Sequence, residues 1–346
     1  MTTQNQLRTP VLIGSDIDEK RQQIAEYFNQ TFDLYESLFE TLKNDQAFYQ
    51  KPIPLRHPLI FYYGHTATFF INKLILAGLV EQRVNPKFES MFAIGVDEMS
   101  WDDLDEANYD WPPVSEVKAY RQQVKSLINK VIAEAPLSLP INWENPWWTI
   151  VMGIEHEQIH IETSSVLIRQ QQLDLVQNHE AWRPWQARSL APENKMVAIP
   201  AGEVTIGKDH DDDVYGWDNE YGHHHVDVAS FQASKFLVSN QEFLAFVEAG
   251  GYEDDSYWQE EGLQWRNFSQ AKYPGFWLKS DDGWRLRLMT EEVVMPWAWP
   301  VDVNYHEAKA FCNWKAQQTG QNIRLPSEDE WYRLYDFAEV EELNGQ

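Results

Sequence analysis

The sequence predicts an α+β protein in which four long N-terminal helices form a bundle, followed by a compact domain of short strands and short helices. Through most of the first half, apolar residues recur every three or four positions, a spacing typical of amphipathic helices. After about residue 195, short runs rich in β-branched residues are bounded by turn residues, as strands are. We therefore expect a bundle over 1–177, a linker over 178–194 and a second domain over 195–346.

The first two helices have recognisable start or stop signals. Ser15 or Asp16 can cap the first, and Gly78 is expected to end the second, which begins near Pro58. The apolar stripe of the first helix consists of Ile17, Ile24, Phe28, Tyr35, Leu38 and Leu42. The second helix is apolar over nearly its whole length.

The other two long helices follow an acidic, loop-like stretch from Asp97 to Pro113. The third is expected at about 115–135, where one stripe holds Val117, Val124, Leu127, Ile128 and Val131. The fourth follows Asn145, a possible cap, and Pro146, which a first helical turn tolerates, and extends to about Gln172. Four long helices with one long connection predict a four-helix bundle with a crossover.

The second domain is predicted from shorter signals. Strands are expected at Met196–Pro200, Val204–Gly207 and His225–Val228, and short helices near 240–249 and 305–319. The linker contains Trp182 and Trp185, which we expect to pack against one domain or both.

Composition restricts the function. The chain has 54 acidic and 28 basic residues, a net charge of −26, which repels nucleic acid and anionic membranes, so we expect neither as a partner. The sequence has no uninterrupted apolar run of about 18 residues, so no transmembrane helix is expected. No signal peptide is recognisable either, and we therefore expect a cytoplasmic location. The single cysteine, Cys312, excludes an intramolecular disulfide and is predicted to be a buried structural thiol.

Three histidines form the most informative pattern. His156 and His160 are four residues apart on a predicted helix, so both imidazoles can reach one metal ion. His65 lies inside the apolar second helix, where a backbone carbonyl, a tyrosine or a metal must satisfy it. Because bundle metal sites use facing helices, we predict these three residues as metal ligands. Zinc, iron, nickel and copper all accept imidazole, so the ligand set does not choose the metal.

Other polar residues carry weaker signals. Glu162 lies across the helix from the histidine pair, which predicts a structural hydrogen bond or a buried ion pair. Thr163 shares the ligand face, whereas Glu157 is predicted to be solvated. His223–His225 could bind a metal, but the start of a strand explains them equally well. Asp209–Asp213 could hold calcium, but a solvated acidic loop explains it better.

Several motifs together resemble one family. They are Tyr63–Phe70, His156–Glu162 followed by Thr-Ser-Ser165, Val301–Trp314 and Arg324–Trp331. Their combination resembles the non-haem iron sulfoxide synthases of thiol-histidine biosynthesis. In that family a DinB-like metal-binding bundle precedes a formylglycine-generating-enzyme-like (sulfatase-modifying-factor) domain of C-type-lectin topology. The runs beginning at His57 and His156 look most like the ovothiol branch, the 5-histidylcysteine sulfoxide synthases. Ile159, where ergothioneine relatives often have glutamine, also favours that branch.

The resemblance implies a chemistry for the three histidines. His65, His156 and His160 would hold Fe(II), and O2 would be used to join the sulfur of cysteine to the imidazole of histidine as a sulfoxide. In the family the second domain continues well past the motif that ends at Trp331, and it carries an active-site tyrosine there. We therefore expect catalytic residues beyond residue 346 and weak or no activity of this chain alone, with a second polypeptide as a possible partner that completes the domain.

Other functions stay open at this point. An ergothioneine-type sulfoxide synthase would use the same three histidines. A DinB-type thiol transferase or hydrolase with zinc or nickel suits the bundle but leaves the second domain unexplained. A lectin-like domain can also be a non-catalytic binding module. Formylglycine generation is disfavoured, because one buried cysteine cannot supply a reactive pair.

Overall fold

The computed structural model describes residues 8–93, 109–184 and 190–338. Its long helices are α1 (Ile17–Phe39), α3 (Leu59–Leu76), α5 (Val114–Glu134) and α6 (Trp147–Arg169), and the short helices α2 (Gln46–Tyr49) and α4 (Pro86–Met91) lie between them. Helices α5 and α6 each pack against both α1 and α3, which closes a four-helix arrangement. The predicted bundle with a long crossover, here between α3 and α5, is confirmed.

The helix ends follow local sequence signals. Asp16 caps α1 by accepting a backbone N–H of the first turn at 3.0 Å. Before α6, the Oδ1 of Asn145 accepts the N–H of Trp147 at 3.0 Å. After α3, Gly78 adopts a left-handed φ of 71°, which costs glycine little. The predicted caps and stop are therefore confirmed.

Some predicted boundaries were wrong. Leu42 is buried but follows the end of α1, and Ile17 at the start of α1 is exposed. Helix α6 ends at Arg169 rather than Gln172. Most of the acidic stretch 97–113 lies outside the described residues.

Helix α3 is buried along most of its length. Lys73, in its last turn, is the only Lys, Arg, Asp or Glu between Leu59 and Leu76. Even so, no helix in the described ranges is long and apolar enough to cross a membrane. The apolar sequence of α3 follows instead from its position between α5 and α6 in the bundle core.

Three small sheets occupy the described part of the second domain. Strand β1 (Met196–Ile199) pairs antiparallel with β4 (Phe231–Ser234), and β2 (Gly202–Lys208) pairs with β3 (Gly222–Val228). The third sheet has the order β5 (Trp277–Ser280), β6 (Gly283–Arg287) and β7 (Glu292–Val294). The helices are α7 (Asn240–Glu248), α8 (Glu260–Ser269), α9 (Tyr305–Thr319) and α10 (Glu328–Phe337).

The sequence predictions recovered only part of this domain. Strands β1 to β3 and helices α7 and α9 match predicted elements, although β3 begins three residues earlier than expected. The predictions missed β4 to β7, α8 and α10. Strands β5 to β7 are too short for an alternating pattern to be recognised. Cross-strand pairing stabilises them, as between the buried residues Trp277 and Leu286.

The C-terminal end of α6 anchors the bundle to the second domain. The Arg169 guanidinium donates to the carbonyl of Arg287 at 2.9 Å, lies 3.6 Å from the ring centroid of Phe276 and pairs with Asp302. Arg287 in turn donates to the carbonyl of Gln171 at 3.0 Å. The helix that carries two of the three histidines is therefore held at its end by the second domain.

The linker also contacts the bundle. The indole N–H of Trp182 donates to the Oγ of Ser37 at 3.0 Å, and its ring packs against the bundle core. Trp185, also predicted to pack, lies outside the described residues.

A buried ionic network joins the four long helices. Arg121 of α5 is fully buried and donates to Glu157 of α6 at 3.0 Å. It also donates to two oxygens of α3, the Tyr63 carbonyl at 2.8 Å and the Thr66 hydroxyl at 2.7 Å. Its fourth contact is an ion pair with Glu36 of α1.

This network corrects one sequence prediction. Glu157 was expected to be solvated, but its side chain is fully buried and ion-paired. Burial alone would lower the pKa of Arg121, but the carboxylates of Glu36 and Glu157 outweigh that effect and raise it. The guanidinium therefore stays charged inside the bundle, where it compensates the carboxylates around it.

Arg121→Met is expected to destabilise the protein by about 3–5 kcal/mol, because it leaves the buried carboxylate of Glu157 and the partly buried one of Glu36 without their cation. Urea unfolding followed by circular dichroism measures the change. Lys125→Met is the matched control, since Lys125 pairs with the largely exposed Asp33 and its loss should cost less than about 1 kcal/mol. Equal effects of the two substitutions would contradict the proposed importance of the buried network.

Candidate metal centre

Three imidazoles from two neighbouring helices converge inside the bundle. His65 lies near the middle of α3, and His156 and His160 lie one turn apart on α6. One ring nitrogen of each lies within 4.8 Å of the other two. The structure therefore brings together the three residues predicted as ligands, at separations that a single metal ion can span.

A glycine permits this close approach of α3 and α6. A Cβ added at Gly153 would lie 2.2 Å from a ring atom of Phe70. Gly153 is three residues before His156 on α6, and Phe70 is five residues after His65 on α3. A larger residue at this position would push apart the two helices that carry the histidines.

Contacts with the protein orient the rings. The Nδ1 of His65 hydrogen-bonds the carbonyl of Phe92 at 2.7 Å, as metal-bound histidines commonly do through their second nitrogen. The nitrogen of His65 that is available to bind a metal is therefore Nε2. The ring of His156 is stacked on Phe69, with centroids 3.7 Å apart and planes 9° from parallel. The ring of His160 lies 6.2 Å from that of Tyr62.

The electrostatics of the site favour neutral imidazoles. Burial lowers the pKa of His156 well below 6.5, and His160, His65 and Lys73 lower it further. Burial, together with His65, lowers the pKa of His160 to about 3. Both rings are therefore neutral at pH 7, which is the form that binds metal ions.

The polar atoms of the site fit a metal ion. Within the described part of the chain, the Nδ1 atoms of His156 and His160 are buried and have no hydrogen-bond partner. Leaving such an atom unsatisfied costs roughly 1–3 kcal/mol. Three imidazoles that converge within 4.8 Å, two of them with an unsatisfied buried nitrogen, match the donor set of a zinc, iron or nickel site.

The triad lines a cleft of about 1170 Å³ between the two domains. Helices α3 and α6 form one wall, and Trp217–Asn219 of the second domain contribute to another. Among the described residues, Arg56, Lys73, Glu162 and Asp218 are the Lys, Arg, Asp and Glu residues that line the cleft. Sequence reasoning did not predict the contribution of the second domain, and no local motif at Trp217–Asn219 could have indicated it.

Two residues beside the triad lie in the cleft. Glu162 and Thr163 are both exposed and line it. The buried ion pair predicted for Glu162 was therefore wrong. Glu162 is two residues after His160, so it points to a different side of α6, away from the bundle interior. That side of α6 is open rather than covered by another helix.

Among the described residues, His223–His225 are not part of a cluster suited to a metal. His223–His225 lie within β3 rather than before it, and they contact three different residues: Asp209 at 2.8 Å, Asp329 at 3.1 Å and Thr205 at 2.8 Å. In the ranges that the structure describes, the triad in the bundle is the cluster suited to a metal. The loop Asp209–Asp213 is exposed, as expected for a solvated acidic loop.

Comparison with known families agrees with this architecture. Residues 27–164 match the DinB superfamily, and residues 184–333 match the sulfatase-modifying factor enzyme 1-like domain. The chain therefore combines a DinB-type helical domain with a sulfatase-modifying-factor-type domain. His65, His156 and His160 all lie in the first of these, and Trp217–Asn219 lie in the second.

Several curated proteins are similar to the chain. Ergothioneine biosynthesis protein 1 of Neurospora crassa is 31% identical over 241 residues, which is 63% of this chain and 27% of that protein. Hercynine oxygenase of Mycolicibacterium smegmatis is 27% identical over 298 residues, or 83% of this chain and 63% of that protein. Formylglycine-generating enzyme of Bos taurus is 31% identical over 154 residues, which is 41% of this chain and 39% of that protein. The chain thus spans less than two thirds of the length of each of these relatives.

His160→Ala is expected to abolish stable metal binding, because it removes one of three protein ligands. The protein is purified anaerobically, loaded with ferrous iron, desalted and measured by plasma emission spectrometry. Wild-type protein should retain about one metal ion per chain. His225→Ala, an exposed histidine of β3, should retain as much as the wild type. Absence of metal from the wild type would show that the triad is not a metal site.

Proposed function

We propose that the chain holds the iron centre of a non-haem, O2-dependent sulfoxide synthase that joins the sulfur of cysteine to an imidazole carbon of histidine. The observation that carries the proposal is the convergence of three imidazoles on a cleft between two domains. The pairing of the two domain types supports it, as does similarity to proteins named hercynine oxygenase and ergothioneine biosynthesis protein 1.

The proposed reaction balances with one molecule of O2. Formation of the carbon–sulfur bond removes the thiol hydrogen and the ring hydrogen and releases two electrons. Oxidation of the sulfur to the sulfoxide releases two more. One oxygen atom stays on sulfur, and the other leaves as water with the two hydrogens. A ferrous ion, when bound by the triad, supplies the redox chemistry for this four-electron reduction of O2.

The residues of the chain have defined tasks in this proposal. Neutral His156 and His160, with His65, offer three ligands without a carboxylate, so coordination positions stay open for substrates. The Phe92 carbonyl and the Phe69 ring hold the imidazoles in orientation. The walls of the cleft, drawn from both domains, hold the reactants beside the triad and reduce the entropic cost of bringing them together.

Ile159 supports histidine and cysteine as the substrate pair. It precedes His160, lines the cleft and is 44% exposed, so an apolar side chain faces the substrate space. Ergothioneine relatives often have glutamine at this position, which favours the ovothiol-type pair here. The names of the similar proteins support a second candidate, in which hercynine replaces histidine.

Formylglycine generation is not supported, despite similarity to proteins of that name. Cys312 is the single cysteine of the chain, and it is buried on α9. Burial raises the pKa of its thiol, which makes the reactive thiolate scarce at neutral pH.

The test mixes the iron-loaded chain with histidine, cysteine and oxygenated buffer. The chain is used at a concentration similar to that of the substrates, so that slow turnover is visible. We expect oxygen uptake and a histidine–cysteine sulfoxide detected by mass spectrometry, both absent in His160→Ala. The yield should be low, because we propose that a second polypeptide completes the catalytic set.

Parallel reactions test the alternatives. Product from hercynine and γ-glutamylcysteine, but not from histidine and cysteine, would establish the second candidate. Stoichiometric iron with no adduct from either pair would contradict sulfoxide synthesis by this chain.

A further inference from the structure

We infer that Lys73 binds the α-carboxylate of an amino-acid substrate in the cleft. The inference rests on the proposed function, because it takes the ligands of the cleft to be amino acids. It names the side chain that lets the cleft distinguish an amino acid, which has a carboxylate, from the corresponding amine, which has none.

Lys73 is directed toward the metal centre along α3. Its Nζ lies 5.2 Å from the ring centroid of Phe69, and that ring is stacked on His156 with centroids 3.7 Å apart. The ammonium is therefore no more than about 9 Å from the centre of the His156 ring. Helical side chains lean toward the N-terminus of their helix, which carries Lys73 back over Phe69 toward the triad. A separation of this order suits one amino acid, with its side chain at the triad and its carboxylate at the ammonium.

Lys73 has no carboxylate partner among the described residues, unlike the cations that pair between helices or between domains. Arg121, Lys125 and Arg169 each form an ion pair with a carboxylate. In a chain of net charge −26, an ammonium that faces a cleft without such a partner offers a local site for an anion. Arg56, the other cation of the cleft among the described residues, opposes the rise that burial causes in the pKa of the Tyr62 hydroxyl.

The cleft also contains groups that suit the other charge of an amino acid. Glu162 and Asp218 are exposed and line the same cleft, one from each domain. An α-amino acid carries a carboxylate and an ammonium on one carbon, and the cleft contains side chains of the charge that suits each of them. The substrate side chain is then directed to the three imidazoles.

A purely structural role for Lys73 predicts a different outcome. In the last turn of α3 its charge interacts favourably with the helix C-terminus and with the Phe69 ring. Loss of those contacts would change thermal stability, but it would not distinguish a ligand with a carboxylate from one without. The test therefore compares ligands that differ only in that group.

Binding of four probes to the iron-loaded chain is measured by anaerobic equilibrium dialysis: L-cysteine, cysteamine, L-histidine and histamine. The variants are Lys73→Met, Lys73→Arg and the control Lys118→Met, which removes an exposed lysine of α5 outside the cleft. Iron content and melting temperature are measured first for each. We expect Lys73→Met to weaken at least one amino acid roughly tenfold or more, since a charge-assisted contact is lost.

The amines provide the decisive comparison. Cysteamine and histamine should bind Lys73→Met within about twofold of the wild type, because they lack the carboxylate. Lys73→Arg should restore most of the affinity, and Lys118→Met should change nothing. The amino acid that is weakened, cysteine or histidine, identifies which carboxylate Lys73 binds.

Two results would overturn the inference and can be told apart. Equal effects on an amino acid and its amine, or no effect on either, would remove Lys73 as the anchor while the proposed function stands. Failure of the wild type to bind either amino acid would contradict the proposed substrates as well.

Discussion

The bundle is organised around one buried cation, the guanidinium of Arg121. From α5 it contacts residues of α1, α3 and α6, so a single group links the positions of all four long helices. Two of its partners lie next to histidines of the triad: Thr66 follows His65, and Glu157 follows His156. A buried ionic network is costly to assemble, but it penalises every arrangement in which its members are not paired. In this protein the arrangement that satisfies it also brings three imidazoles together.

Burial determines the charge state of two imidazoles of the triad. The close packing of α3 on α6, which Gly153 permits, removes water from the rings and keeps His156 and His160 neutral. The same packing leaves two imidazole nitrogens buried without a partner. A metal ion bound by these nitrogens would compensate this cost.

Among the described residues, the second domain contributes no histidine to the triad but forms part of the wall of the cleft beside it. Arg169 anchors it to the end of α6, and Trp217–Asn219 then face the triad across the cleft. The charged lining of the cleft is therefore shared between domains: the bundle contributes Lys73, and each domain contributes an acidic residue.

The long helices and the histidine pair could be predicted from sequence because their signals are local. Caps such as Asp16 and Asn145 act within a few residues, and a four-residue spacing places His156 and His160 on one helical face whatever surrounds it. The environments of the acidic residues could not be predicted in this way. Glu157 is buried because it pairs with Arg121, a cation 36 residues away in sequence on another helix. Glu162 is exposed because no element covers its side of α6. Burial and pairing of charges depend on which helices become neighbours, and only the tertiary structure decides that.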